Sequence, residues 1–273
     1  MMEITARQWE EFDREGFLFL GQVATDKELA DMQQRIDDIM LGLARVNYDQ
    51  IMMQLDREPD TGRPGPQTRG HKGSTLLYRK IQQLEFDPFF LSYMRHPIFE
   101  AICQRTYGQQ APISCYRAMF MNKPAEEGTD LAWHQDRWDD LDQDPEITIY
   151  TALDSAYREN GCVHVIPRSH RNEFNSYQKA GQLNPQQLEE ITNQAQTKPL
   201  ELSAGEVVLL HNWTLHKSGT NRTQTPRRAF SVCYMRADTK IQPPQSGEFP
   251  IIFGEDALTE ENLPNYQPSI IYV

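Results

Sequence analysis

From residue 111 onward the chain breaks into short runs of strand-forming residues, and this texture constrains its fold more than any other feature. Residues 113–121, 131–136, 147–153, 162–166, 206–210 and 229–235 are rich in β-branched, aromatic and aliphatic side chains. The pieces between them, such as NKPAEEG at 122–128 and RENG at 158–161, carry turn-forming residues. One helix interrupts the series, with Asn184 as N-cap, Pro185 at the first helical position, and 186–194 following. Many short strands after a helical start predict a β-sandwich or jelly roll with helices packed outside it.

The first part of the chain, about 1–107, reads as that helical layer. Thr5 with Gln8 and Thr25 with Glu28 make two capping boxes. Trp9 and Phe12 share a face before a stop at Gly16, and 17–20 reads as a short strand. Leu29, Met32, Ile36 and Met40 recur at helical spacing, which is core packing. Residues 84–107 suggest helices around Pro97. Residues 56–75 hold much Pro, Gly and charge, and no regular element fits them. They are expected to form a solvated, mobile loop. Its basic half, with Arg63, Arg69, His71 and Lys72, offers the alternative of a lid that greets an anion. The simplest organisation is one domain over 1–273, with a core at about 111–240 and a C-terminal extension over 241–273.

His134 and Asp136 stand two residues apart on a predicted strand, so their side chains share a face. An imidazole beside a carboxylate can hold a divalent metal. His216 can complete a face of two histidines and one carboxylate, the ligand set of non-heme Fe(II) oxygenases, which leaves positions open for a chelating co-substrate and O2. Arg227 lies eleven residues after His216, and Ser218 two after it. A guanidinium grips a carboxylate through two parallel hydrogen bonds. A metal face plus such a fork suits 2-oxoglutarate, whose keto acid end chelates iron while its far carboxylate reaches the arginine. His211, five residues before His216, falls on the opposite face of a regular strand and is not taken as a ligand. His164 and His170 are each supporting or surface residues, with the surface reading favoured for His170. Trp133, Trp138 and Trp213 read as core, with Arg137 and Trp138 as candidate substrate neighbours.

The net charge of -12 argues against nucleic acid or an anionic membrane as partner. Cys103, Cys115, Cys162 and Cys233 show no close pairing, which fits reduced thiols. No signal peptide and no apolar run of membrane-spanning length are visible, so a cytoplasmic location is expected.

Three segments carry a family resemblance: WHQD at 133–136, ENGCVHVIPRSH at 159–170 and HKSGTNRTQTPRR at 216–228. Over most of its length, from about Thr5 to Met235, the chain resembles the phytanoyl-CoA dioxygenase family of Fe(II)- and 2-oxoglutarate-dependent oxygenases. The resemblance implies a fold that is mainly β with α, a double-stranded β-helix (a cupin-like jelly roll) behind the N-terminal helical layer. It implies iron on His134, Asp136 and His216, with 2-oxoglutarate held by Arg227 and Ser218. Lys80 in RKIQQLEFD, Met119 in MFMNKP and Tyr150 in ITIYTALD match positions that line the same co-substrate pocket, and Gln135 of WHQD is placed there too. Arg168 departs from the family, which usually has glycine in that turn; it either touches substrate or points to solvent. The intact Asp136 argues for hydroxylation and against halogenation. The implied reaction hydroxylates an unactivated C–H bond of a small molecule, with release of succinate and CO2; the basic half of 56–75 points to an anionic one. Two alternatives stay open: a metal-dependent isomerase or hydrolase of the same fold, and a non-catalytic binding protein.

Overall fold

In the computed structural model, residues 3–58, 60–174, 183–194, 196–243 and 246–268 are described. The chain starts with helix α1 (Ala6–Glu15), strand β1 (Phe17–Gln22) and helix α2 (Asp26–Leu41). Strands β2 (Met52–Leu55), β3 (Thr68–Arg69) and β4 (Tyr78–Gln82) follow, then helices α3 (Pro88–Met94) and α4 (Pro97–Tyr107). The core continues with β5 (Ile113–Lys123), β6 (Leu131–His134), β7 (Ile147–Ala152) and β8 (Val163–Val165). Helix α5 (Pro185–Gln194) precedes β9 (Lys198–Leu200), β10 (Glu206–His211), β11 (His216–Ser218), β12 (Arg227–Arg236) and β13 (Ile251–Phe253).

Both expected capping boxes form, and each satisfies two backbone groups that a helix start leaves open. Asp87 caps α3 by accepting from the backbone of Phe89 and Phe90, and it also pairs with Arg35 of α2 at 2.8 Å. Pro88 and Pro97 occupy first helical positions, where a missing N–H costs nothing.

The strands form two antiparallel sheets. The larger runs β1-β10-β7-β12-β5-β4-β2-β3, with β13 also paired to β5; the smaller runs β6-β11-β8-β9. Period-two alternation divides the larger sheet into two faces. Phe230, Val232 and Tyr234 of β12, with Ile147 and Ile149 of β7, join the core beneath the helices, where Met32, Ile36 and Ile39 of α2 meet them. Ala229 of β12 and Tyr150 of β7 turn the other way. They pack with Val163, Val165 and Leu200 of the smaller sheet to form the interior of a jelly roll.

Two expectations for the N-terminal part need correction. It is not only a helical layer, because β1 to β4 extend the larger sheet along both edges. Nor do residues 56–75 form a free loop. Asp56 is fully buried and accepts hydrogen bonds from Gly128 N (3.2 Å) and Thr129 N (3.0 Å). His71 bonds Met40 O at 3.0 Å, and Lys72 N donates to Tyr78 OH at 2.7 Å. These anchors meet buried partners, so the segment is held at both ends. Of its basic side chains, Lys72 donates its Nζ to Arg69 O. Residue 59 of this segment, and 244–245 and 269–273 of the C-terminal extension, lie outside the described residues. No helix among the described residues is long and apolar enough to cross a membrane.

Candidate active site

Strand pairing brings the two histidines together. His216 of β11 lies directly opposite His134 of β6 in the antiparallel register, and their ring centroids are 4.1 Å apart. Asp136 follows β6, and its backbone N–H is fixed by Asn212 O at 2.8 Å. Its two carboxylate oxygens lie 3.6 Å from His134 Nε2 and 3.9 Å from His216 Nε2. Ligating atoms of all three residues fall within 4.8 Å of one another. Each ring is oriented from behind: His134 Nδ1 bonds Ala132 O at 2.8 Å, and His216 Nδ1 bonds Thr214 O at 2.9 Å. A carbonyl only accepts, so each Nδ1 carries the proton and each Nε2 presents a lone pair toward Asp136. Burial, reinforced by His216, pushes His134 down to about 4 and keeps that lone pair free at neutral pH. Burial works against charge on Asp136, but His216, His134, Arg117 and Lys80 outweigh it and hold the carboxyl below its ordinary range. Two neutral imidazoles and one ionised carboxylate fit a divalent cation such as Fe(II).

The triad opens into a cavity of about 310 Å³ between the two sheets. Its floor is the inward face of β5, β7 and β12. Register sets Lys123 beside Arg227, Met121 beside Ala229, Met119 beside Ser231, and Arg117 beside Cys233. Ser231 and Cys233 in turn face Tyr150 and Thr148 of β7. Lys80 of β4 pairs with Met121. The expected residues Lys80, Met119, Tyr150, Ser218, Arg227, Arg137 and Trp138 all line this space with the triad.

Arg227 is buried, and the folded chain engages only part of its fork. Nη1 donates to Tyr150 OH at 2.7 Å and Nη2 to Gly161 O at 3.1 Å. Its Nε is buried with no hydrogen-bond partner. An unmet N–H on a cation is costly, and a ligand carboxylate removes that cost. Arg228, the next residue, points out of the cavity to Asp154 (2.8 Å) and Asp37 of α2 (2.6 Å).

Several cavity residues escaped the sequence reading. Arg79, Arg117, Lys123 and Lys217 also line it, while Asp136 is its one carboxylate among the described residues. Lys123 Nζ donates to Thr129 O, and burial with Arg227 and Arg79 nearby lowers it to about 7. Burial, Arg117 and Arg79 lower Lys80 to about 8. The available signal was alternation: once Met119 is placed in the pocket, period two along β5 puts 117, 121 and 123 on the same face.

Other expectations are corrected. Gln135 does not line the cavity. Alternation turns it away from its neighbours, and it is fully buried. Nε2 donates to Asn172 O (2.8 Å) and Trp213 O (2.6 Å), and Oε1 accepts from Phe174 N (3.0 Å). Those bonds leave little capacity for a ligand. Arg168 is exposed and pairs with Glu15 of α1 at 3.1 Å, away from the cavity. Its φ of 69° explains why a glycine suits this turn. The favoured surface reading of His170 is corrected to the supporting one: it is half-buried with its ring 5.0 Å from that of His211, and the bare Gly16 leaves room for it. His211 faces this cluster rather than the metal ligands, as expected. Arg137 reaches the cavity but is already paired with Asp144 (2.9 Å) and Glu173.

Comparison with known proteins places this geometry among relatives. The family model for phytanoyl-CoA dioxygenase (PhyH) matches residues 12–229. A probable phytanoyl-CoA dioxygenase of Caenorhabditis elegans is 23% identical over 248 residues, covering 86% of this chain and 76% of that protein. Phytanoyl-CoA dioxygenase domain-containing protein 1 of Mus musculus is 26% identical over 277 residues, covering 88% and 93%. Among solved structures, EctD from S. alaskensis with 2-oxoglutarate and 5-hydroxyectoine superposes with a TM-score of 0.70 at 20% identity, over 88% of this chain and 78% of that one.

Proposed function

The chain belongs to the phytanoyl-CoA dioxygenase family, and from that premise we propose that it is an Fe(II)- and 2-oxoglutarate-dependent dioxygenase that hydroxylates an unactivated C–H bond of a small, anionic molecule. The observation that carries this reading is the pairing of a His134–Asp136–His216 triad with a buried, half-satisfied Arg227 fork in one cavity. When bound, Fe(II) with 2-oxoglutarate and O2 supplies the oxidising power, and succinate and CO2 leave.

The chain's own groups bind and orient. His134, Asp136 and His216 would hold the metal, and the backbone carbonyls behind both rings fix which nitrogen is offered to it. Arg227 receives the far carboxylate of 2-oxoglutarate through its free N–H groups. Tyr150 OH accepts from Arg227, so its own proton is free for the same carboxylate, and Ser218 can add a hydroxyl donor. Lys80 adds positive charge over the middle of the floor. Met119, Met121, Val163 and Leu210 line the rest and limit the water that reaches the reacting centre. Asp136 would serve as a ligand where a halide would otherwise bind, which favours hydroxylation. All four cysteines are buried, free thiols, which supports a reducing, cytoplasmic setting.

The test is anaerobic titration of the Fe(II)-loaded protein with 2-oxoglutarate, followed by succinate release in air. His134→Ala and Asp136→Ala are expected to lose metal affinity, and Arg227→Ala to lose co-substrate affinity. Failure of the loaded wild type to bind 2-oxoglutarate defeats the proposal, as does full metal affinity in either ligand variant. An Arg227→Ala protein that keeps full activity points instead to an isomerase or hydrolase using the same triad.

A further inference from the structure

A one-residue irregularity in β4 puts two consecutive side chains into the cavity. Across the β2–β4 ladder Gln54 pairs with Lys80 but Leu55 pairs with Tyr78, so Arg79 has no partner of its own and forms a β-bulge. A regular strand would send Arg79 to the face opposite Lys80. The bulge breaks that alternation. Tyr78 and Ile81 are fully buried in the core beneath the helices, while Arg79 and Lys80 both line the cavity. A bulge beside a site re-aims a side chain, and this one adds a guanidinium.

Arg79 arrives there with its N–H groups unused. It is half-buried, and among the described residues it makes no hydrogen bond and no ion pair. Burial pushes its pKa down, and the nearby Asp56 and Asp130 offset that only in part. Neither acid bonds the guanidinium. Asp56 accepts instead from Gly128 N (3.2 Å), Thr129 N (3.0 Å) and Thr129 Oγ1 (3.1 Å), and Asp130 is exposed. Half-buried donors without acceptors carry a desolvation cost that an incoming acid removes.

The place suits a second molecule beside the co-substrate. β5 separates β4 from β12, so the backbones of Arg79 and Arg227 stand about 10 Å apart at roughly 4.8 Å per strand. Lys123 is close enough to both for each to disfavour its charge. Thr129 and Leu131 line the cavity with Arg79. Lys80, the next residue, is close enough to the triad to help hold Asp136 ionised. A short carbon chain therefore runs from Arg79 past Lys80 to the metal ligands.

We propose that Arg79 selects the substrate: it takes the acid group, a carboxylate or a phosphate monoester, of a small organic acid whose carbon chain reaches the triad. This rests on the co-substrate reading, which assigns Arg227 to 2-oxoglutarate. The planar guanidinium reads either acid through two parallel hydrogen bonds. The cavity of about 310 Å³ holds both molecules, so the substrate is small.

The experiment uses the full chain loaded anaerobically with Fe(II) and 2-oxoglutarate. It is titrated calorimetrically with hexanoate, hexyl phosphate and uncharged hexanamide. At least one acid is expected to bind about tenfold or more tightly than the amide, the worth of a charge-assisted hydrogen bond. Arg79→Gln is expected to abolish that preference, and Arg79→Lys, which keeps the charge but not the fork, to restore part of it. In both variants 2-oxoglutarate affinity, read from its visible absorption with Fe(II), should stay within about threefold, because a separate arginine holds that molecule. The same absorption reports that each variant is folded. A preference for hexanoate alone assigns a free organic acid, and a preference for hexyl phosphate alone a phosphorylated one. Equal binding of acids and amide by the wild type overturns the proposal without any variant. An acid preference that survives in Arg79→Gln also overturns it, and leaves Arg79 as a counter-charge to Asp56 and Asp130. A tenfold loss of 2-oxoglutarate affinity in Arg79→Gln overturns it too, by assigning Arg79 to the co-substrate. If the wild type fails to bind 2-oxoglutarate at all, the co-substrate reading fails separately, and the acid preference on the Fe(II) protein alone decides the role of Arg79.

Discussion

Tyr150 makes the clearest prediction for a single side chain. Its hydroxyl accepts from Arg227 Nη1 at 2.7 Å, and the ring is buried. Tyr150→Phe removes one hydroxyl without opening a large cavity, and it leaves a second N–H of a buried cation unmet. The KM for 2-oxoglutarate should rise about 10-fold or more, with kcat within about threefold, since the lost bond serves binding. Steady-state succinate release at varied 2-oxoglutarate checks this; a fall in kcat with unchanged KM would count against Tyr150 as a co-substrate contact. Glu85 makes a second prediction, about stability. It is buried, its Oε2 has no partner, and burial pushes its carboxyl up to about 8 despite bonds from its own and Ala118's backbone. The folded chain thus binds a proton that the unfolded chain, near the ordinary 4.5, releases. Stability from this group is fully present below about pH 4.5, declines as pH rises to about 8, and is flat above. Glu85→Gln mimics the protonated form, so it should remove this part of the decline in urea midpoint between pH 5 and 8. A variant with the wild-type slope would show that Glu85 does not hold the proton.

At the level of elements, the turn between β7 and β8 supports the site at close quarters. Gly161 has φ 78°, and a Cβ built on it would lie 2.6 Å from Gly219 O and 3.0 Å from Thr220 O. Its own carbonyl accepts from Arg227 Nη2. Gly161→Ala must therefore push β8's leading turn away from the chain that follows Ser218, at a cost of about 1–3 kcal/mol. A lower melting temperature together with a higher KM for 2-oxoglutarate is expected, and an unchanged melting temperature would sink the idea. The same scale explains what the sequence did and did not disclose. Long strands such as β5 and β12 bury a full face, so they leave a readable alternating pattern, and the capping boxes of α1 and α2 are local chemistry. The three-residue strands β8, β9, β11 and β13 have no pattern of their own; their partners supply the hydrogen bonds. Pro199 within β9 even argues against a strand, and it is tolerated because β9 is an edge. The metal ligands were legible because two of them are two residues apart. The meeting of His134 with His216 was not, since it depends on the register of two short strands 82 residues apart in sequence. Gln135 was misplaced for a different reason: the alternation that paired His134 with Asp136 also turns the residue between them away.

For the whole molecule, total charge was legible while its distribution was not. A chain of net charge -12 folds so that Arg79, Lys80, Arg117, Lys123, Lys217 and Arg227 converge on one cavity. The acidic exterior repels a dianion at long range, and the cavity attracts it at short range. Lys80 and Lys123 make this attraction depend on pH. Burial first, then the neighbouring cations, brings them to about 8 and about 7, within reach of ordinary assay conditions. As pH rises through these values the cavity loses up to two positive charges, so its hold on 2-oxoglutarate weakens. A bound dianion favours the protonated lysines and shifts both titrations upward, which places the change on the alkaline side of neutrality. The KM for 2-oxoglutarate should therefore climb about 3- to 10-fold between roughly pH 7.5 and 9.5, the size expected when a partly buried charge is lost beside an anion. Lys80→Met should start with a raised KM and show a flatter rise. Added salt should raise KM in both proteins at neutral pH, and by less at pH 9.5, where fewer cations remain to be screened. A wild-type KM that stays constant from pH 7 to 9.5 would mean that neither lysine faces the bound dianion, and the co-substrate would then depend on Arg227 and the metal triad alone.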